Sequence, residues 1–390
     1  MLIVLFALGL LSISLFEALV VLILFYLLYK GFKGFRCKGS LLLPITLHAL
    51  VVLFSTTLFH TSQIGKAIER GVFLLSYCYG GLLRVDEKSL YRFNLFLVLS
   101  GLALLPLVFY GYSQTGQPAM FWGGWFEVGA FYSIFTVASL SLLFYSKRVY
   151  YLLPFLLFVG VVFFTMKRSA MLGLAFALLV FALLVGQKVS KKAFWGILLT
   201  LFVGFAISTV VLVQKDIRYK TMYEMVLGQK PINDETLNHI SSYRWEIAKA
   251  GVQVVKKDIQ ERNWLALAIG HGINSGYYLE PKSPVGGLYE SIFLLSEFIE
   301  KGLLGLFAVL WVYYAYFRFL FGFRIKDNVD YLLMPLLLAL GSHLVGTVFT
   351  FFWDAMLPLY LVLFMVVERF RSYKLSFFEK SKKKEIPQNS

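Results

Sequence analysis

The sequence predicts an all-α polytopic membrane protein with about 12 transmembrane helices and one large extracytoplasmic loop. Three observations support this fold class: 59% of the 390 residues are apolar, apolar runs of about 20 residues recur, and Lys and Arg collect between alternate runs. A net charge of +15 could indicate nucleic-acid binding, but in so apolar a chain it is typical of loops beside anionic lipid headgroups. We therefore expect membrane lipids and no nucleic acid as partners.

Ten apolar runs after residue 40 are predicted spans: 41–60, 68–83, 93–112, 120–145, 149–165, 171–187, 193–213, 303–322, 331–350 and 357–368. Residues 2–29 form a longer run, and a helix of about 42 Å would exceed a hydrocarbon core of about 30 Å. Gly9, Ser12 and Ser14 offer a break. The run is expected to cross twice, giving 12 crossings, or once as a long tilted helix, giving 11.

The distribution of Lys and Arg predicts the orientation. Walking back from the basic tail at 369–390, the predicted inward segments hold 21 Lys and Arg, and the short outward loops hold four. This bias predicts a membrane protein with both termini in the cytoplasm. In a Gram-negative cell the membrane would be the bacterial inner membrane, and the outward loops would face the periplasm. The N-terminal run lacks a basic leader and a small-residue cleavage site, so it is expected to stay in the membrane.

The long hydrophilic stretch divides the chain. We predict N-terminal transmembrane helices at 1–213, a large periplasmic loop at 214–287, C-terminal transmembrane helices at 288–368 and a basic cytoplasmic tail at 369–390. Apolar residues recur at helical spacing from about Ser241 to Val255, which indicates a folded cap. Cys37 and Cys78 predict neither a disulfide nor a Cys-based metal site.

Two basic residues occupy a loop that the orientation places outside. Lys167 and Arg168 lie in the turn from Thr165 to Ser169, where positive charge is otherwise rare. Arg at a membrane edge is costly without an anionic partner, and its planar fork suits phosphate. A snorkelling pair on lipid phosphate is the structural alternative.

A second outer arginine, Arg244, precedes Trp245 on the helix predicted in the large loop. Alone it would be an ordinary surface residue of an amphipathic helix. Together, Arg168 and Arg244 could hold one diphosphate, so we predict that they face a common cavity.

Two further motifs follow. In Gly270-His271-Gly272 the glycines indicate a tight turn that could expose amides to an anion, although no P-loop ending is present. The segment 288–306 carries Glu290, Ser291 and Glu297. A carboxylate at an apolar surface can accept a proton near neutrality, which favours Glu290 as a base, whereas Glu297 is expected to pair with Lys301 at i, i+4. His271 is the alternative base.

These motifs, in this order and on this side of the membrane, resemble the O-antigen ligase and polymerase superfamily of polyprenyl-linked glycan transferases. The resemblance rests on the turn 165–169, on Arg244-Trp245, on Gly270-His271-Gly272, on Glu290-Ser291 and on the Gly302–Gly305 start of a span. It implies that Arg168 and Arg244 grip the diphosphate of an undecaprenyl-linked glycan. It also implies substrate contacts from six residues: Lys167, Trp245, Gly270, His271, Gly272 and Ser291.

The resemblance further implies a metal-independent, inverting glycosyltransferase without a cofactor, in which a base on the outer loop deprotonates the acceptor hydroxyl. The ligase branch usually carries His where this chain has Glu290-Ser291, and polymerase-like relatives carry Glu. The acceptor is therefore lipid A-core in a ligase, or another lipid-linked repeat unit in a polymerase. A transporter is a third hypothesis, but the sequence lacks the paired halves typical of one.

Overall fold

The computed structural model describes residues 1–31, 33, 37–186, 188, 195, 206, 209–210, 213–214, 216–282 and 292–384. Within these ranges the regular elements are helices, and no strand occurs. The all-α prediction is therefore confirmed for the described part of the chain.

Among the described residues, the α-helices before the predicted loop are α1 (Leu2–Leu11), α2 (Ile13–Tyr29), α3 (Leu42–Phe59), α4 (Ile64–Leu75), α5 (Glu87–Thr115), α6 (Trp125–Ser146), α7 (Leu152–Phe164) and α8 (Arg168–Gly186). The loop region contains α9 (Ile217–Val226), α10 (Asp234–Ser241), α11 (Arg244–Gln260) and α12 (Trp264–Ile269). The last helices are α13 (Phe293–Gly322), α14 (Val329–Leu332), α15 (Met334–Gly346) and α16 (Leu357–Lys384). The helix predicted from Ser241 corresponds to α11.

Five of the described helices are long and apolar enough to cross a membrane: α3, α5, α6, α8 and α13. Shorter apolar helices are α1, α2, α15 and the segment Val149–Phe164 that contains α7. The predicted span 193–213 lies almost entirely outside the described residues. The count of twelve crossings and the outer position of the loop remain predictions.

The N-terminal run breaks at Ser12. Its backbone is extended, with φ −165° and ψ 131°, and it separates α1 from α2. At about 1.5 Å per residue the ten residues of α1 reach about 15 Å, half of a hydrocarbon core of about 30 Å. The predicted break is confirmed, but α1 alone is too short for a full crossing.

The core of the bundle lies around α6, which packs against α5, α7, α8 and α15. Its buried Ser and Thr hydroxyls donate to the carbonyl one turn earlier, so that none of them faces hydrocarbon unpaired. These residues are Ser133, Thr136, Ser139 and Ser141.

Segments that the charge pattern assigns to the inner side lie together. The amide of Ser40 donates to Glu368 Oε1 at 2.9 Å, and the Arg371 guanidinium lies 3.7 Å from the Phe323 ring centroid. At the other end of the bundle, Asn274 Nδ2 donates to Gln63 Oε1 at 3.1 Å. Each of these contacts joins segments that the charge pattern assigns to the same side.

One prediction about the cysteines is wrong. Cys37 and Cys78 are 41 residues apart, and their sulfur atoms are bonded in a disulfide. The bond joins the loop after α2 to the 3₁₀ segment Ser76–Leu82, which also contacts α16 and places Tyr77 OH against Glu368. Tertiary packing brings these two distant segments together, and the spacing of the two cysteines in the sequence does not predict the bond.

Helix α13 is interrupted near its start. Gly302 has φ 64° and ψ −165°, a conformation that favours glycine, and it separates Phe293–Lys301 from the apolar remainder. A Cβ on Gly302 would lie 2.4 Å from the carbonyl carbon of Ala268. The end of α12 therefore packs directly against the interruption.

Candidate functional site

Four cationic side chains from three parts of the chain come together, and we call them the cationic cluster: Lys167, Arg168, Arg218 and Arg244. Burial first, and then the charges of Arg218 and Arg244, lower the pKa of Lys167. Burial, followed by the charges of Arg168 and Arg218, lowers the pKa of Arg244. The structure thus places Arg168 and Arg244 in one electrostatic neighbourhood.

The turn between α7 and α8 presents the first two cations. Thr165 is buried, and its hydroxyl donates to Val162 O at 2.7 Å. Met166 has φ 52°, which is uncommon for a residue with a side chain. Lys167 Nζ then lies 4.9 Å from the Trp125 ring centroid, a cation–π contact.

Arg168 is the first residue of α8 and reaches the loop region. Its Nη1 donates to the carbonyl of Ile240 at 2.8 Å. This bond ties the start of a membrane helix to the end of α10, so that loop side chains and membrane side chains can form one site.

Arg218 brings a carboxylate with it. Asp216 caps α9 by accepting from the amide of Arg218, and Asp216 Oδ1 also accepts from Arg218 Nε at 3.0 Å. Burial opposes the ionisation of Asp216, but the hydrogen bonds and charge of Arg218 outweigh it and lower the pKa of Asp216. Arg218 Nη1 also donates to Ser242 Oγ at 3.2 Å.

The corner between α10 and α11 delivers Arg244. Ser242 and Tyr243 both have positive φ, 56° and 65°, and α11 begins directly afterwards. Two successive residues with side chains in the left-handed conformation cost conformational energy. Backbone strain of this kind is often found at functional sites. The corner aims Ser242 at Arg218 and brings Arg244 to the cluster.

Arg244 is the least compensated member. Its side chain is partly buried, and within the described part of the chain no hydrogen-bond acceptor and no carboxylate offsets its charge. Asp216 and Glu127 act on other members, lowering the cost of Arg218 and Lys167. A partly buried guanidinium beside other cations is the arrangement expected of a site that receives an anion.

Trp245 contacts the loop region itself. Its Nε1 donates to Asp234 Oδ1 at 2.8 Å, and its amide donates to Ser241 Oγ at 3.1 Å. These bonds brace α11 against α10. Its role in substrate binding stays a prediction.

The Gly270-His271-Gly272 turn packs against the start of α13. The amides of His271 and Gly272 donate to Ile299 O and Glu300 O, both at 2.9 Å. A Cβ on Gly270, which has φ 78°, would lie 2.1 Å from the amide nitrogen of Lys301. His271 Nε2 lies 2.8 Å from Asp258 Oδ2. These contacts explain the glycines by packing, and the predicted substrate contacts remain untested.

Glu290 and Ser291 lie outside the described residues. Glu297 pairs with Lys301 as predicted: Lys301 Nζ lies 2.7 Å from Glu297 Oε1. His48 Nε2, from α3, lies 3.0 Å from the other oxygen.

Glu300 completes the arrangement around Lys301. It lies 3.3 Å from Lys301 Nζ and 3.8 Å from Arg70 Nη1, and it accepts from the amide of Asn274 at 2.9 Å. The side chains of Glu297, Glu300 and Lys301 are at most 5% exposed. We call five residues the paired network: His48, Arg70, Glu297, Glu300 and Lys301.

Sequence reasoning missed Arg218 and Asp216. They lie just after the predicted span 193–213, on the predicted outer side, and Lys215 is the charged residue that precedes them. The sidedness argument applied to Arg244 would also have selected Arg218. Its proximity to Arg168 and Ser242 is visible only in the structure.

The fold and the site define a helical membrane protein with a cationic site, and comparisons with known proteins agree with this class. Residues 153–310 match the model of the O-antigen ligase family. An uncharacterized protein of Aquifex aeolicus (strain VF5) is 41% identical over 362 residues, which cover 92% of this chain and 93% of that protein. No solved structure matches.

The chain belongs to the O-antigen ligase superfamily. It is a membrane protein with an O-antigen ligase-like or polymerase-like function, a glycosyltransferase-like reaction and lipid-linked glycan substrates. The matched residues include the turn 165–169, the corner before Arg244 and the interruption at Gly302. All four cations of the cationic cluster fall within them.

Proposed function

We propose that the protein transfers a glycan from undecaprenyl diphosphate to a sugar hydroxyl of lipid A-core, at the periplasmic face of the bacterial inner membrane. The proposal rests on the surroundings of Arg244. Its guanidinium is partly buried beside Arg168 and Arg218, and the described residues provide no counterion for it. A diphosphate offers enough oxygens for several guanidinium groups, and arginine binds phosphate bidentately.

The reaction needs one proton acceptor and stabilisation of one leaving group. A base removes the proton of the acceptor hydroxyl, whose oxygen attacks the anomeric carbon from the face opposite the diphosphate. The bond from that carbon to the diphosphate oxygen breaks, and lipid diphosphate leaves with the electron pair. The cationic cluster stabilises the charge that develops on the leaving group, without a metal or cofactor.

Glu290 is the proposed base. Its place in the sequence, after Gly286-Gly287 and before α13, supports this role, and its carboxylate would accept the hydroxyl proton directly. Glu290→Gln should bind the donor as the wild type does and lose transfer, because the amide cannot take up the proton. Full activity of this variant would remove Glu290 as the base.

A polymerase is the second candidate. The Glu290-Ser291 pair, where the ligase branch usually carries His, favours another lipid-linked repeat unit as the acceptor. A transporter has less support, because the candidate site residues gather at one face of the membrane, beneath the large loop, and the sequence shows no related halves.

Reconstitution separates these functions. Purified protein in lipid nanodiscs is incubated with a glycan on undecaprenyl diphosphate and either lipid A-core or a second donor. Extension of lipid A-core indicates a ligase, and lengthening of the donor glycan indicates a polymerase. Failure to extend either acceptor, with donor flipping in vesicles instead, would contradict transfer and support transport.

A further inference from the structure

A cleft lined by both polar and apolar groups lies beside the cationic cluster, in the loop region formed by α9, α10 and α11. It encloses about 600 Å³, within the range of about 300–1,000 Å³ that is usual for small-molecule sites. The residues that line it and matter for its chemistry are Thr221, Lys230, Glu235, Thr236, His239 and Tyr243.

The chemistry of this lining is mixed donors and acceptors with one aromatic ring. Hydroxyl, imidazole, carboxylate and ammonium groups face the same space, and His239 Nδ1 lies 3.3 Å from Thr221 Oγ1. The ring of Tyr243, 56% exposed, forms part of the wall. Ile217 and Pro231 add apolar surface to the wall. A sugar ring suits such a mixed lining, because it offers hydroxyls for the polar groups and an apolar face for the tyrosine.

The cleft and the cationic cluster are built from the same backbone segments. Ile240, whose carbonyl binds Arg168, follows His239, and Ile217 of the wall stands between Asp216 and Arg218. Tyr243 directly precedes Arg244. A molecule with a diphosphate on the cluster would therefore extend its neighbouring sugars toward the cleft.

The strained corner gives this placement a backbone cause. Ser242 and Tyr243 have φ values of 56° and 65°, and Arg244 follows them as the first residue of α11. The first side chain contacts Arg218, the second lines the cleft and the third joins the cluster. One irregular turn thus serves both places at once.

We propose that this cleft is a sugar-binding subsite, which holds a pyranose ring of a glycan whose diphosphate or attacked hydroxyl lies at the cationic cluster. The assignment to a transfer reaction rests on the proposed function. The ring belongs either to the donor, next to its diphosphate, or to the acceptor, next to its hydroxyl, and the two sources give different kinetics.

The test is Tyr243→Gly. Glycine accepts the positive φ and is tolerated at a helix N-cap, so the ring is lost without a backbone conflict. Tyr243→Phe keeps the ring, and Tyr223→Ala is the matched control, because Tyr223 is 52% exposed on α9 and does not line the cleft.

Binding is measured with undecaprenyl diphosphate with and without its glycan, and transfer kinetics with varied acceptor. We expect Tyr243→Gly to lose about tenfold in affinity for the glycosylated lipid alone, which identifies a donor sugar, or to raise only the acceptor KM, which identifies an acceptor sugar; tenfold corresponds to about 1.4 kcal/mol. Wild-type values for both, or an equal loss for the sugar-free lipid, would overturn the subsite.

A third arm separates this inference from the proposed function. Free di- and trisaccharides of N-acetylglucosamine, galactose, mannose and rhamnose are presented on an array to wild-type and Tyr243→Gly protein. Binding that needs Tyr243, in a protein that neither binds undecaprenyl diphosphate nor transfers glycan, would refute the function and keep the subsite. Transfer that Tyr243→Gly leaves intact, without array binding by the wild type, would do the reverse.

Discussion

The cationic cluster and the paired network are both built from partly or fully buried charges at the same end of the bundle, yet their charges are arranged in opposite ways. In the paired network each carboxylate has at least two partners: Glu297 contacts His48 and Lys301, and Glu300 contacts Lys301 and Arg70. In the cationic cluster, Arg244 has like charges as its neighbours.

This difference separates structure from function. Buried ions are retained at acceptable cost when they are paired and hydrogen-bonded, as in the network. A buried cation among cations destabilises the protein unless a ligand compensates it, so its retention points to binding. Removal of a charge should therefore have opposite consequences in the two regions.

Loss of a network cation should have the largest effect. Lys301→Met leaves Glu297 and Glu300 buried at 2% and 5% exposure without their shared ammonium, so we expect about 3–5 kcal/mol lower free energy of unfolding. Chemical unfolding in detergent measures it. Lys257→Met is the matched control, because its i, i+4 pair with Glu261 is exposed and should change stability by at most about 0.5 kcal/mol. Equal effects of the two substitutions would erase the contrast.

Loss of a cluster cation should affect transfer rather than folding. Arg244→Gln is expected to lower the transfer rate about 100- to 1,000-fold, because it removes stabilisation of the leaving group, and to leave the unfolding temperature unchanged or slightly raised. Transfer assays and thermal unfolding of one preparation give both values. Arg262→Gln, an exposed arginine near the end of α11, serves as the control. Destabilisation as large as that of Lys301→Met would mean that Arg244 is structurally paired.

Arg218 shares a feature with each region, because it belongs to the cationic cluster but is paired with a carboxylate, that of Asp216. Arg218→Gln is expected to raise the donor KM about tenfold, less than the effect at Arg244, since Asp216 already neutralises part of its charge. Steady-state kinetics with varied donor test this order. A larger loss at Arg218 than at Arg244 would reverse the ranking of the arginines.

The Asp216–Arg218 pair should give the smallest effect, visible in the pH dependence of stability. The pKa of Asp216 is lowered from its ordinary value of 3.8, so the pair stabilises the folded state above that pH and the stabilisation is lost as the pH falls through the folded pKa. Wild type and Asp216→Asn should differ by a constant amount from about pH 5 to 8 and converge in acid. A difference that grows as the pH falls below about 5 would contradict this sign.

Much of the architecture was predictable from local sequence. Apolar run lengths predicted the helices, and Ser12 predicted the break between α1 and α2, because desolvation of the backbone acts on each segment separately. The i, i+4 spacing predicted the Glu297–Lys301 pair. Family membership followed from a few motifs in order.

Other features depend on segments far apart in the chain. The sequence does not show that Cys78 reaches Cys37, or that Lys301 must serve Glu300 as well as Glu297. The sequence predicts a possible anion-binding turn at Gly270 and the start of a span at Gly302. In the structure, each glycine leaves space for the backbone of the segment that contains the other. Such contacts arise from packing at distances that sequence spacing does not encode.

By itself the sequence determined that the chain is helical, apolar and basic in alternate segments between its apolar runs, because burial of backbone and charge in a membrane follows local composition. The tertiary structure alone decided which charges have partners. Arg218 lies near Arg168 and Arg244 because the starts of α8, α9 and α11 come together, and Glu297 meets His48 because α13 packs against α3. The energy of a charge depends on its spatial neighbours rather than on its neighbours in sequence.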